Sequence, residues 1–195
     1  MPAKTEPLPN RRADARRNRD AVVEAAIGVM AARPAASMKE IADASGLGRT
    51  TVYRHFPSRE DLVRAIVEHV ITESWAMLGA IAKPDRRLED VLSELGVQAM
   101  ALGARHRFLD GHRMIHDEIV LELGLEDNDP LITYLTAACA REEARTDLPV
   151  RWMCAMVRGM VVAAIDEMFA GRASEEAAGV RLGASLIALT KPVDA

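Results

Sequence analysis

The sequence predicts an all-helical protein, and three observations carry that expectation. Good helix formers, Ala, Leu, Met, Glu and Arg, are abundant, whereas aromatic residues make up only 4% of the chain. Apolar residues recur at spacings of three and four, with no convincing period of two. Pro34, Pro57, Pro84, Pro130, Pro149 and Pro192 each fall at a break in a helical pattern, never inside one. With 195 residues, 49% apolar and 28% charged, the chain suits one domain or two small ones and can bury a sizeable core.

Composition also sets classes aside. No apolar run approaches a membrane span, and the basic N-terminus lacks the apolar stretch of a signal peptide. Two cysteines, Cys139 and Cys154, cannot build a disulfide framework, so a reduced, cytoplasmic protein without a cofactor is expected.

About nine helices follow in order. Residues 1–14, with Pro2, Pro7 and Pro9, are expected to form a disordered basic leader. The first helix runs from Ala15 to Ala32 with Val22, Ala26, Val29 and Met30 on one side, and Pro34 ends it. Ser37-Met-Lys-Glu40 is a capping box that opens a short second helix, Met38 to about Ala44, with Met38 and Ile41 inward. Ser45-Gly46-Leu47 makes a tight turn in which Gly46 takes a positive φ. The third helix spans Gly48 to Phe56, with Val52 and Phe56 inward. Pro57-Ser58 breaks the pattern, and Ser58 caps a fourth helix reaching Ala82. Five more are expected near Asp85–Ala104, His106–Leu123, Pro130–Arg145, Val150–Ala170 and Ser174–Leu189.

Two short helices joined by a Gly-containing turn describe a helix-turn-helix, predicted here within residues 15–60. Residues 1–60 carry 11 Lys/Arg against 7 Asp/Glu, a net of +4, while residues 61–195 carry 14 against 22, a net of −8. A basic front on an acidic body suits a polyanionic partner. The third helix would expose Arg49, Thr50, Tyr53 and Arg54, with Lys39 nearby. Arg49 suits guanine O6 and N7, and the Thr50 methyl suits a thymine methyl. Thr51, Tyr53, His55 and Ser37 offer donors for phosphate oxygens. Arg11, Arg12, Arg16, Arg17 and Arg19 form either an arm that adds phosphate or minor-groove contacts or a solubilising tail.

The run from Ser37 to Leu62, and above all Thr-Val-Tyr-Arg-His-Phe-Pro-Ser-Arg-Glu over 51–60, resembles the DNA-binding segment of the TetR family of bacterial transcription regulators. The resemblance is strong over about residues 15–70 and rests on length and helical pattern beyond them. It implies a homodimeric, all-helical regulator, usually a repressor, released from palindromic double-stranded DNA by a small ligand. By the same resemblance Lys39, Arg49 and Thr50 match positions that often touch bases. Ser37, Thr51, Tyr53, His55 and Arg59 match positions that often touch phosphates. The chain departs from the pattern at Arg33-Pro34, where the family usually has Gly, and at Gly48, where Ser or Thr commonly caps the recognition helix.

Residues 61–195 are expected to form a ligand-binding and dimerisation domain. The helix from Val150 is apolar on more than one side, through Trp152, Met153, Met156, Val157, Met160, Val161, Ala164, Ile165 and Met168. Such a helix is buried on two fronts, one its own core and the other a second subunit. Gly179-x-x-x-Gly183 in the last helix allows close helix contact, and the resemblance likewise places the dimer bundle in the last two helices. An effector pocket is expected among Trp75, Met100, His112, His116, Tyr134, Met153, Met156 and Met160, because flexible Met and scattered polar tips suit apolar molecules.

Rival functions have less support. His112 and His116, at i and i+4, can chelate a metal with Cys139 or Cys154 as third ligand, which would make the chain a metal sensor. An enzyme would be supported only by the His112/His116/Asp117/Glu118 cluster, and no nucleophile elbow, phosphate loop, dinucleotide fingerprint or His-Glu-x-x-His motif is present.

Overall fold

The computed structural model describes residues 11–109, 119 and 129–193. Among the described residues there are eight α-helices and no strand: α1 (Arg11–Ala32), α2 (Met38–Ser45), α3 (Arg49–His55), α4 (Arg59–Ile81), α5 (Leu88–Arg105), α6 (Pro130–Ala140), α7 (Val150–Phe169) and α8 (Glu175–Thr190). None of them is long and apolar enough to cross a membrane. The chain divides into two compact units, residues 1–69 and 70–195.

In the N-terminal unit, α1 buries Val22, Val23, Ala26, Ile27 and Met30, a stripe at helical spacing. Ile41 and Ala42 of α2, Val52 of α3, Phe56, and Leu62 and Ile66 of α4 complete its core. Helix α1 begins at Arg11, four residues before the expected Ala15, and Asp14 in its first turn pairs with Arg17 at i+3.

The core of the C-terminal unit gathers Leu88, Leu92, Leu95 and Met100 of α5, Leu131, Tyr134 and Leu135 of α6, Met153 and Val157 of α7, and Leu182 and Leu186 of α8. Two boundaries differ from expectation. Helix α5 starts at Leu88 rather than Asp85, where Glu143 Oε2 accepts the Leu88 amide at 2.9 Å and caps the helix from a distant loop. Helix α6 starts at Pro130 as expected, with Asp129 capping Leu131 at 2.8 Å, but ends at Ala140 instead of Arg145. Glu142 adopts φ 60°, and the Glu142 and Glu143 amides turn back to the Cys139 and Ala138 carbonyls at 3.0 Å, a Schellman stop made without glycine. Of the helix expected over His106–Leu123, Arg107–Leu109 is a 3-10 turn and Ile119 is helical and buried. The rest lies outside the described residues.

The close helix contact expected of Gly179-x-x-x-Gly183 is made inside the chain, against α5. Both glycines are buried against α5, where they meet Gly96. A Cβ on Gly96 would lie 2.4 Å from the Gly179 carbonyl oxygen and 2.6 Å from the Gly183 amide nitrogen. One on Gly183 would lie 2.9 Å from the Ser93 Cα. The two helix backbones therefore touch, and no side chain lies between them that can give way. Gly96→Ala is expected to cost about 1–3 kcal/mol or more. Gly28→Ala, in the interior of α1 with open space around it, is expected to gain about 0.5–1 kcal/mol. Thermal unfolding checks the pair, and an unchanged Tm for Gly96→Ala would contradict the crossing.

Candidate nucleic-acid interface

The helix-turn-helix is built from local signals. Ser37 Oγ accepts the Glu40 amide at 3.3 Å, and Glu40 Oε2 accepts the Ser37 amide at 2.8 Å, so the capping box is closed in both directions. Arg33 Nη1 donates to Glu40 Oε1 at 2.6 Å. These bonds from Ser37, reinforced by the Arg33 charge, hold the Glu40 carboxyl below its ordinary pKa of 4.5 and keep it ionised at neutral pH. Helix α2 ends at Gly46, whose φ of 70° is the left-handed conformation the turn needs. Gly48 caps α3 without a side-chain bond. Ser58 caps α4 through the Asp61 amide at 3.1 Å, and Asp61 Oδ2 accepts the Ser58 amide at 3.1 Å.

Helix α3 turns Val52 inward and leaves Arg49, Thr50, Tyr53 and Arg54 exposed, Tyr53 to 46%. Lys39 on α2 is exposed as well, and Thr51 is half-buried. One short helix thus presents two guanidiniums, a hydroxyl and a phenol on a single outward surface, which suits phosphates and base edges. Asp43 was not foreseen: its Oδ1 lies 3.9 Å from Arg49 Nε, across the turn. Both partners are more than half exposed, so the pair orients Arg49 weakly. The signal available in the sequence was opposite charges flanking Ser45-Gly46-Leu47.

Two expected contact residues, Ser37 and Arg59, have structural duties, and a third, His55, is partly shielded. Ser37 is occupied in the capping box. Arg59 donates from Nη2 to the Pro34 carbonyl at 2.7 Å and from Nη1 to the Ala36 carbonyl, which ties the start of α4 to the linker between α1 and α2. His55 is half-buried, and its Nε2 is shielded and makes no hydrogen bond among the described residues, so a phosphate would meet Nδ1 or a rotated ring. Within the arginine-rich segment, Arg19 stacks over Phe56 at 5.4 Å and reaches Glu68 at 3.2 Å, and Arg17 pairs with Asp14. Arg16 is exposed. Arg11 and Arg12 fall in the first turn of α1.

The expected effector residues are only partly brought together. Met100, Tyr134 and Met153 are fully buried in one core, with Met160 packed against it. The Tyr134 hydroxyl donates to the Arg86 carbonyl at 3.0 Å, and its ring lies under the Arg141 guanidinium at 5.9 Å. That hydroxyl therefore anchors the segment between α4 and α5. Trp75 and Met156 are half-buried. His112 and His116 lie outside the described residues, and among the described ones no group of three His, Cys, Asp or Glu side chains is placed to hold a metal. Burial, reinforced by Asp129, pushes the Cys154 thiol up to about 12, which disfavours the thiolate a metal needs. Cys139 is also raised by burial, and its Sγ contacts the Arg145 carbonyl at 3.3 Å.

Residues 22–66 match the model of the bacterial regulatory proteins of the tetR family. Over 54 residues the chain is 48% identical to the HTH-type transcriptional repressor LfrR of Mycolicibacterium smegmatis, an alignment that spans 28% of this chain and 29% of that repressor. The structure of LfrR from Mycobacterium smegmatis in complex with proflavine is similar along most of its length, with a TM-score of 0.67, 25% identity, and coverage of 87% of this chain and 95% of that one. A protein from Mesorhizobium loti assigned to the TetR-family transcriptional regulators matches with a TM-score of 0.70 at 18% identity, covering 90% and 96%. RolR in complex with resorcinol matches with a TM-score of 0.66 at 15% identity, covering 93% and 91%. The last two show the fold.

Arg59→Ala removes two charge-assisted bonds to linker carbonyls and is expected to cost about 1–2 kcal/mol of stability, discounted for partial exposure. A thermal melt checks this. An unchanged melting curve would show that Arg59 does not hold the linker.

Proposed function

We propose that the chain is a member of the bacterial regulatory proteins of the tetR family, whose model its residues 22–66 match, and that it is a homodimeric, ligand-responsive transcriptional repressor. In this reading a small, largely apolar molecule releases it from a palindromic operator. The observation that supports it most is the surface of α3, where Arg49, Thr50, Tyr53 and Arg54 stand exposed directly after α2, whose start is closed by a capping box and whose end is set by Gly46. In this geometry the N-terminal residues of the second helix meet base edges in the major groove. Arg49 and Thr50 read bases, Lys39 joins them from α2, and Thr51, Tyr53, Arg54 and His55 hold phosphates. Ser37 acts by holding the linker, both its hydroxyl and its amide being donated to Glu40, whereas Arg59 holds the linker and keeps further guanidinium donors for the backbone of the duplex.

Two-fold symmetry follows from the need of two such heads to meet two half-sites, and the partner surface is the outer face of α7 and α8. Trp152 is 60% exposed there, Val162 37% and Val180 62%, an apolar face of the kind a second subunit covers. For the effector, LfrR with proflavine and RolR with resorcinol support a small organic ligand. Met100, Tyr134, Met153 and Met160 are its candidate lining, with Trp75 and Met156 at the margin. Met side chains change rotamer cheaply and can open a cavity for such a guest. His112 and His116 are further candidates for its polar contacts.

Arg49→Ala tests the reading on the tightest-binding duplex drawn from a random pool. The expected loss is about 1–3 kcal/mol, with relaxed preference at one base pair of each half-site. An equal loss on every sequence would show that Arg49 only holds phosphate.

A further inference from the structure

Helices α2 and α3 carry two carboxylates, Glu40 and Asp43. Glu40 is consumed locally, with Ser37 donating to one of its oxygens and Arg33 to the other. Asp43 has no part in that cap. It is exposed, and it follows Lys39 by four residues, so the two share one face of α2. Its Oδ1 lies 3.9 Å from Arg49 Nε across the turn. The acid that the cap leaves over therefore stands between two of the cations assigned above to bases. A carboxylate there repels the phosphates of a duplex and lowers affinity for DNA of any sequence. What it can add is selectivity, through Arg49.

Resting on the DNA-binding reading above, we propose that Asp43 is a positioning residue that sets the base preference of Arg49. A guanidinium carries its N–H donors in a planar fork, one on Nε and the others on the two Nη atoms. Asp43 faces the Nε edge, so the edge formed by both Nη atoms is left for O6 and N7 of a guanine. The same carboxylate makes the phosphate backbone a poor alternative for this side chain, since an oxyanion that approaches Arg49 also approaches Asp43. In the free protein both partners are more than half exposed, and 3.9 Å is longer than a hydrogen bond, so water screens the pair. A duplex laid against α3 expels that water, and the attraction rises as the local dielectric falls. Arg49 is thus held most firmly when a base edge is present to be read. Acting on a base by itself, Asp43 would instead accept from cytosine N4 and set the preference at a base pair of its own.

Asp43→Asn and Asp43→Ala in the full-length chain test the role, read as preference and not as affinity alone. Parent and variants select from one random duplex pool. Binding is then measured on the parent's consensus, on its single-base-pair variants and on a scrambled duplex. At the base pair that Arg49→Ala relaxes, discrimination is expected to fall about tenfold in Asp43→Asn. Affinity for the scrambled duplex is expected to rise about threefold. In an Arg49→Ala background the substitution is expected to leave discrimination unchanged, as for a residue that acts through another. Because Asp43 is exposed, both variants are expected to melt with the parent chain, so that lost structure does not account for the change. An equal gain on every duplex would reduce Asp43 to a general repulsive charge, and relaxation at a different base pair would place it on a cytosine; either result overturns the proposal. Variants that select the parent's consensus as sharply as the parent would overturn the role of Asp43 and leave the regulator reading standing. A folded parent chain that selects no consensus would overturn both.

Discussion

The recognition surface depends on one small hydrogen-bond network, the closure of the linker between α1 and α2. Ser37 and Glu40 satisfy each other's backbone amides, Arg33 neutralises the outer oxygen of Glu40, and Arg59 reaches from α4 to the carbonyls of Pro34 and Ala36. Together these bonds decide where α2 begins. With its start fixed and its end set by Gly46 at φ 70°, α2 has little freedom in rotation. The face that α3 shows to solvent follows from that. A recognition helix of seven residues is too short to be stable alone, so its geometry is borrowed from the neighbours that hold it.

The C-terminal unit solves a different problem with a different device. Gly96 on α5 and Gly179 and Gly183 on α8 bring two helix backbones into contact. That seals one side of α8 and leaves Val180 and the outer residues of α7 uncovered. Three glycines thus let α5 and α8 meet backbone to backbone.

The sequence made the N-terminal unit legible because its signals are local. Ser37 and Glu40 are three residues apart, Gly46 follows the last turn of α2, and proline sits at the linker, so each feature acts within the span of a single motif. Arg59 matches a phosphate-touching position by resemblance, while its bonds to carbonyls more than twenty residues earlier have no local signature. The C-terminal unit was legible as helices and much less as contacts. Gly179-x-x-x-Gly183 was visible as a close-contact motif, but its partner Gly96 lies some eighty residues away, so the sequence could not say which helix it served. Helix α6 ends five residues before the expected Arg145 because a glutamate, Glu142, takes the left-handed conformation usually given to glycine. Tyr134 reads in the sequence as a polar tip for a ligand, and nothing local announces the bond from its hydroxyl to the Arg86 carbonyl. The effector site is the least legible part, since methionines at helical spacing fill a core and line a pocket with the same pattern.

The central claim is that the exposed face of α3 reads DNA as one half of a twofold pair. Selection of duplexes from a random library by the purified protein, at near-physiological salt, tests it most directly. The account predicts a palindromic consensus whose half-sites are centred about one helical turn, or a multiple of it, apart. Recovery of no consensus by folded protein, or of a single unrepeated half-site, would contradict it.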